Sequence, residues 1–328
     1  MKNIFHRMIH HTVQCVVSVG LLLAAGASYA QAYPNKPIRL LVGYSAGGGV
    51  DAMARLLAPR LSTLLGQQVV VDNRAGAAGL IAGDAAAKAA PDGYTLILGD
   101  SSMLIAQHLQ PKMSFDPLKD FAPVAAVFSL PLMIVTTNNF PAKTPKEFLA
   151  TLKSSPGKYS FATSGVGTVQ HLGFEMLKGA SGSFVVHIPY RGAAQIMPDV
   201  ISGQVPIAVI SATAALAQAK AGKLQAIALM SQAKLAGAEN VAPLADALPG
   251  FDAAPLLFVL APTGTPAPVV EKLNDAIRQV MRSPEMPQAA ALQGAVPAYM
   301  ASSQLATAMM AESANWRKIV KEQKISVE

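Results

Sequence analysis

A chain of 328 residues that is 52% hydrophobic and 14% charged holds enough apolar material for two domains with ordinary cores. Its formal net charge of +7 comes from scattered Lys and Arg without aromatic interleaving, a pattern that argues against a nucleic-acid surface. The one cysteine, Cys15, lies in an apolar N-terminal run, so the chain beyond residue 32 has no disulfide framework, zinc-thiolate site or cysteine nucleophile.

Residues 1–32 are expected to be an export signal. Lys2 and Arg7 give a positive start, 13–25 is apolar but shorter than the roughly 20 residues of a membrane span, and Ser28-Tyr29-Ala30 or Ala30-Gln31-Ala32 suits signal peptidase. Cys15 comes too early in the apolar run for a lipid anchor.

The stretch 38–51, IRLLVGYSAGGGVD, reads as a short buried strand, a glycine-rich turn and the start of an amphipathic helix. Unpaired first-turn N–H groups and the helix dipole let such a corner bind an anion without a charged side chain, although the same sequence also makes a tight turn with no ligand. A second strand at 68–72 leads into another glycine-rich turn and an Ala-rich helix that stops at Pro91-Asp92-Gly93. Residues 94–99 form a third buried strand, and Asp100-Ser101-Ser102 makes the N-cap of the next helix. This alternation predicts a mostly parallel α/β sheet.

After one apolar segment within 125–137 the pattern restarts. Thr144-Pro145-Lys146-Glu147 is a capping box with proline at the first helical position. Residues 159–163 form a strand that delivers Ser164-Gly165-Val166-Gly167-Thr168 to a helix, repeating the opening architecture. Further strands fall at 184–190, 207–211, 224–230 and 256–261. Helices at 269–282 and 303–323 close the chain, the second with the only tryptophan, Trp316. The expected organisation is two α/β lobes, 33–130 plus 255–328 and 131–254, joined by two crossings that make a hinge with a cleft.

Gly43-Tyr44-Ser45-Ala46-Gly47 spells the G-x-S-x-G nucleophile elbow, making a secreted serine hydrolase the rival reading. Against it, the motif comes before the strands a hydrolase sheet lays down first, no HGGG-type segment precedes it, and His108, His171 and His187 lack a distinctive acid partner. No Walker or dinucleotide fingerprint is present, so neither ATP nor NAD is expected, and the same histidines are too widely spaced for a metal site. Thr163, Ser164 and Thr168 can cap their helix or donate to a carboxylate. Asp51 can charge its helix or order the glycine loop, His171 is read mainly as a structural residue, and Arg191 either reaches an anion or is solvated.

The segments YPNKPIRLLVGYSAGGGVD, DNRAGAAGLIA, PDGYTLILG, FDPLKDFAPV, YSFATSGVGTVQHLGFEML, HIPYRGAAQIMPDVISGQV, APTGTP and AESANWRKIV occur in an order that resembles the Bug receptors. These are the periplasmic substrate-binding proteins of tripartite tricarboxylate transporters. The resemblance implies a two-lobed, type II-like periplasmic-binding-protein fold that closes like a Venus flytrap on a small organic carboxylate. It implies no catalytic residue, cofactor or metal, a periplasmic location, a monomeric state, and a membrane partner that is either the transporter's membrane subunits or a sensor.

Carried over, one ligand carboxylate would meet Tyr44, Ser45, Ala46, Gly47 and Gly48, with Asp51 behind them. Across the cleft it would meet Thr163, Ser164, Gly165, Val166 and Thr168, with His171 and Ser211 nearby. Where relatives carry an aspartate and then an Asp-Asn pair, this sequence has Pro206, Ile210 and Ser211, so the distal part of the ligand is expected to be uncharged or apolar.

Overall fold

The computed structural model describes residues 33–110, 112–322 and 325, so the expected export signal lies outside the described residues. The chain divides into Met1–Asn35, of which 33–35 are described, and Lys36–Glu328, which carries every described strand and helix.

Two sheets share one plan. In the first, β1 (Ile38–Val42) lies between β2 (Val69–Asn73) and β3 (Thr95–Asp100), all parallel, with Leu40 opposite both Val71 and Leu96. The strands β4 (Phe121–Ser129), β10 (Leu256–Pro262) and β11 (Val296–Ala301) complete it in the order β2-β1-β3-β10-β4-β11. The second sheet contains β5 (Leu132–Thr136), β6 (Ser160–Thr163), β7 (Val186–Pro189), β8 (Ile207–Ser211) and β9 (Gln225–Leu229) in the order β7-β6-β8-β5-β9. Each sheet therefore has three parallel strands and then one antiparallel strand that enters from the other sheet, followed by β4 and β11 in the first sheet and by β9 in the second.

The expectation of mostly parallel sheets is corrected here. β5 follows β4 after Leu130 and Pro131, and β10 returns from the other sheet through 230–255 with no α-helix to turn it parallel; both pair antiparallel on both sides. The apolar segment within 125–137 is likewise two strands in two sheets. Pro131 lacks the N–H that a continuous ladder would need there. The crossings touch each other, since Leu130 N–H donates to Pro255 O at 2.9 Å.

Both faces of the central strands are covered, and β5 (LMIVT) and β8 (IAVIS) are buried throughout, as unbroken apolar runs require. One core lies under the first sheet around Leu41, Ile97 and Phe258, and another under the second around Phe148, Phe161 and Phe174.

Four helices follow the strand ends that matter for the site: α1 (Gly49–Leu65) after β1, α3 (Ser101–Leu109) after β3, α5 (Val169–Ser181) after β6 and α7 (Ala212–Lys220) after β8. The short α2 (Leu80–Ala87) follows β2, and α4 (Pro145–Ser154) opens with the expected box. Thr144 Oγ1 accepts Glu147 N–H at 3.2 Å, while the Glu147 carboxylate reaches one residue further back, to Lys143 N–H at 2.9 Å. The remaining helices are α6 (Ala193–Ser202), α8 (Ala267–Met281), α9 (Met286–Leu292) and α10 (Ser302–Glu322).

Sequence reading left α9 and β11 unassigned. The strand is a half-exposed edge containing Pro297, which gives no clean alternation. α10 joins the two halves: Ser302 Oγ donates to Pro123 O beside the first sheet at 2.7 Å, and Trp316 packs into the second core. Among the described residues no helix is long and apolar enough to cross a membrane.

Candidate functional site

The first corner is the loop 43–48 between β1 and α1. Its cap residue, Gly48, has extended backbone and no side chain to bond the helix amides, so the first turn of α1 keeps unpaired donors. Asp51 shapes the loop instead. Only 2% exposed, its carboxylate accepts Gly47 N–H at 2.8 Å, Arg55 Nε–H at 2.9 Å and Asn73 Nδ2–H at 2.9 Å. Asn73 also donates to Tyr44 O at 3.1 Å, tying the loop to the end of β2. Burial alone would raise the Asp51 pKa, but the bonds from Arg55, Gly47 and Asn73 outweigh it and hold the carboxyl below its ordinary value.

In that loop Ala46 and Gly47 are exposed, while the Ser45 hydroxyl oxygen is buried and has no hydrogen-bond partner among the described residues. Gly192, at the start of α6, lies directly on it. A Cβ at that position would stand 2.2 Å from Ser45 Oγ, and Gly192 has φ +154°, so only glycine fits. Tyr44 is buried with its hydroxyl donating to Ala78 O at 3.4 Å, near Asp100 and Ser102, and burial, then the nearby Asp100 charge, raise its pKa well above the ordinary value.

The second corner is the loop 164–168 between β6 and α5. Here the side chains are already occupied. Thr168 Oγ1 donates to Gly165 O at 2.8 Å and accepts His171 N–H at 3.3 Å, the expected N-cap. Thr163 Oγ1 accepts Gly165 N–H at 3.2 Å and shares a 2.6 Å bond with His187 Nε2. His171 Nδ1 accepts Gly167 N–H at 3.2 Å, which leaves the ring proton on Nε2, 3.7 Å from Glu175.

The two imidazoles stack 4.1 Å apart, and His187 leans on Phe161. Burial pushes His171 down to about 4; burial, then His171, push His187 down to about 3, and Lys178 adds to both, so the pair is neutral at pH 7. The hydroxyls of Thr163 and Thr168, expected as ligand donors, thus point into their own loop. Ser164 and Gly165 are buried beside them and Val166 is half-buried.

The two corners meet through the ends of the third strands. Ser211 caps α7, accepting Ala214 N–H at 3.3 Å, and its Oγ would lie 2.3 Å from a Cβ on Gly49, so α1 can approach α7 only because residue 49 is glycine. On the other side Val169 N–H, at the start of α5, donates to Ser102 Oγ on α3 at 3.3 Å. The four helix N-termini therefore converge in reciprocal pairs, α1 with α7 and α3 with α5.

Between them lies a cavity of about 20 Å³, room for about one water. Tyr44, Gly48, Gly49 and Val50 from the first corner, Ser164 and Gln170 from the second, and Leu130, Gly192, Ala193 and Ser211 line it. None of these carries a formal charge at neutral pH. Larger hollows, such as one of about 700 Å³ between β4 and α8, are open surface grooves away from these helix ends.

Sequence reading did not place Leu130, Gln170, Gly192 or the α3 N-terminus at the site. Only the Asp100-Ser101-Ser102 cap was legible, and nothing local marks it as facing a second lobe. The hydrolase elbow is corrected: the motif does lie between a strand and a helix, but Ser45 has no base. His108 bonds Ser313, His171 bonds Gly167 and His187 bonds Thr163. Among the described residues no cluster of His, Cys, Asp or Glu could hold a metal ion.

Residues 53–325 match the profile of the tripartite tricarboxylate transporter family receptor. The chain is 34% identical over 311 residues to the protein BugT of Bordetella pertussis, covering 93% of this chain and 95% of that one. The solved periplasmic binding protein BugD is 29% identical with a TM-score of 0.86, over 90% of this chain and 99% of that one. The R. palustris protein Rpa4515, solved with adipate, is 29% identical with a TM-score of 0.87 over the same shares.

Proposed function

Because the chain belongs to the receptor family of tripartite tricarboxylate transporters, we propose that it is a non-enzymatic, periplasmic receptor that captures a small organic carboxylate between its two sheets, in a cleft that must open beyond the present water-sized cavity to admit it. One lobe would comprise residues 33–130 and 255–328 and the other 131–254, closing about the paired crossings at Leu130 and Pro255. A membrane subunit of the transporter, or a membrane sensor, would read the closed form.

The observation that carries this reading is the buried, unpartnered hydroxyl of Ser45 beside an uncapped helix N-terminus. An orphaned polar group in such a place costs about 1–3 kcal/mol, and a carboxylate would satisfy it together with the free amides of Gly49 and Val50. The second corner would close on the same anion with Ser164, the backbone amide of Val166 and the free first-turn amide of Gln170, while Thr163, Thr168 and His171 hold Gly165 and Gly167 in place. Ser211 would complete the rim.

Val50, Leu130, Gln170 and Ala193 bring no charge to the lining, which favours a ligand whose distal part is neutral. The relative solved with adipate supports the carboxylate, not that distal preference.

Thermal unfolding of the mature protein, refolded from denaturant, against mono-, di- and tricarboxylates, aromatic acids and amino acids tests the reading. An acid at 100 times its dissociation constant adds about 2.7 kcal/mol, which raises the midpoint by several degrees. A selective shift with one class is expected. No shift with any acid, combined with turnover of an ester, would return the hydrolase to consideration.

A further inference from the structure

Asp100 ends β3 and caps α3, and at 5% exposure it is one of the few buried ionisable groups among the described residues. Its carboxylate accepts Ser102 N–H at 2.8 Å, and near it lie the hydroxyl of Ser102 and that of Tyr44, which donates to Ala78 O at 3.4 Å. Tyr44 belongs to the first corner. Ser102 Oγ, turned toward Asp100, accepts Val169 N–H from the second. A continuous chain of polar contacts thus runs from the amide of Val169 through Ser102 and Asp100 to Tyr44, crossing from one lobe to the other.

We propose that Asp100 is a positioning residue that holds the two carboxylate-binding corners in register across the cleft, through Tyr44 on one side and Ser102 and Val169 on the other. A plain helix cap needs only the Ser102 amide. The hydroxyl of Ser102 beside the carboxylate is additional to that cap, and with its proton turned to Asp100 it would present its lone pairs to Val169.

The titratable and charged groups that face Asp100 are Tyr44 from the loop after β1 and Glu312 from α10. Glu312 is half-buried, accepts Trp316 Nε1–H at 3.2 Å and lies near Ser101. No Lys, Arg or His is among the facing groups, so neutral donors alone hold the carboxyl. Burial raises the pKa of Asp100, and those donors oppose the rise.

The consequence for ligand rests on the receptor reading; the register itself does not. Amide hydrogen exchange on the full chain without added acid, in wild type, Asp100→Ala, Asp100→Asn and Ser102→Ala, separates the two. Exchange of the Val169 amide should quicken about tenfold in Asp100→Ala and in Ser102→Ala, the loss of about one hydrogen bond. It should stay near wild type in Asp100→Asn, whose amide oxygen can still accept from Ser102.

Core amides of β6 and β8 should not change. If Val169 is unaffected in Asp100→Ala while only the first turn of α3 loosens, Asp100 is a cap and the proposal falls. Should Asp100→Ala fail to fold, an unaltered Val169 in Ser102→Ala overturns it equally. Titration of the same variants with whichever acid of the panel raises the wild-type midpoint most should show about tenfold weaker binding in both alanine variants. A wild-type protein that takes neither adipate nor any other acid of the panel would end the receptor reading and leave the exchange result to decide on Asp100.

Discussion

The two corners share one topology and use it in opposite ways. After β1 the helix cap is glycine, the loop is ordered from behind by Asp51, and both the helix amides and the Ser45 hydroxyl stay without protein partners. After β6 the cap is Thr168, and Thr163, Thr168 and His171 bond the loop's own Gly165, Gly167 and His171 amides. One corner leaves its donors unpaired, as the proposed receptor needs, and the other uses most of its own to stay rigid. A strand, a small-residue turn and a helix are therefore not enough to identify an anion site; what distinguishes it is a helix end whose side chains decline to cap it.

Acid should break the comparison most strongly. His171 and His187 have folded-state values of about 4 and about 3, against 6.5 ordinarily. Between 6.5 and about 4 the unfolded chain takes up protons that the folded chain refuses, so stability is full above 6.5 and falls as the pH drops through that window. The loss is at most about 1.4 kcal/mol per pH unit for each histidine. Asp51 is lowered from 3.8, so its contribution is lost only below that value. Denaturant unfolding across this range, with amide exchange read by residue, should show the second corner loosening first. If loop 43–48 loosens first, the histidine stack is not what holds the second corner.

A smaller effect is expected at the second cap. Thr168→Ala removes the acceptor for His171 N–H and should cost about 1 kcal/mol of stability, within the range for lost N-caps. Ligand affinity should fall less than stability suggests, because the hydroxyl orders the loop rather than touching the anion. Urea unfolding and calorimetric titration on the same variant check both halves. Equal losses in stability and affinity would place Thr168 on the ligand.

Much of this was legible in the sequence, and the part that was not follows a pattern. The strand-turn-helix units at 38–51 and 159–177, the cap at Asp100 and the box at Thr144 are local signals, and each matches an observed element. What sequence could not supply is which groups are already satisfied. Thr163 looks like a free hydroxyl until His187, on the neighbouring strand, is brought within 2.6 Å of it. Gly49 and Gly192 look like loop glycines until Ser211 and Ser45 are found against them from the opposite side of the cleft. Leu130 and Gln170 carry no motif, and only the crossing of two strands and the first turn of α5 bring them to the cavity. β11, with Pro297 and one exposed face, was hidden by its position at a sheet edge.

The finest test adds to the first corner what the second already has. Gly48→Ser would supply α1 with the side-chain cap it lacks. The backbone at 48 is extended, with φ −83°, and a Cβ there would meet only Ser45 O at 3.4 Å, an ordinary contact. Serine is a better cap than glycine by a few tenths of a kcal/mol, so the melting temperature should rise slightly. The new hydroxyl would accept a first-turn N–H that the proposal assigns to the carboxylate, so affinity should fall even as the fold gains. Most substitutions that weaken binding also weaken the protein. A variant that is slightly more stable and binds measurably worse would show that the uncapped helix end is kept for the ligand, whereas unchanged affinity would mean that the anion takes its contacts elsewhere in the cleft.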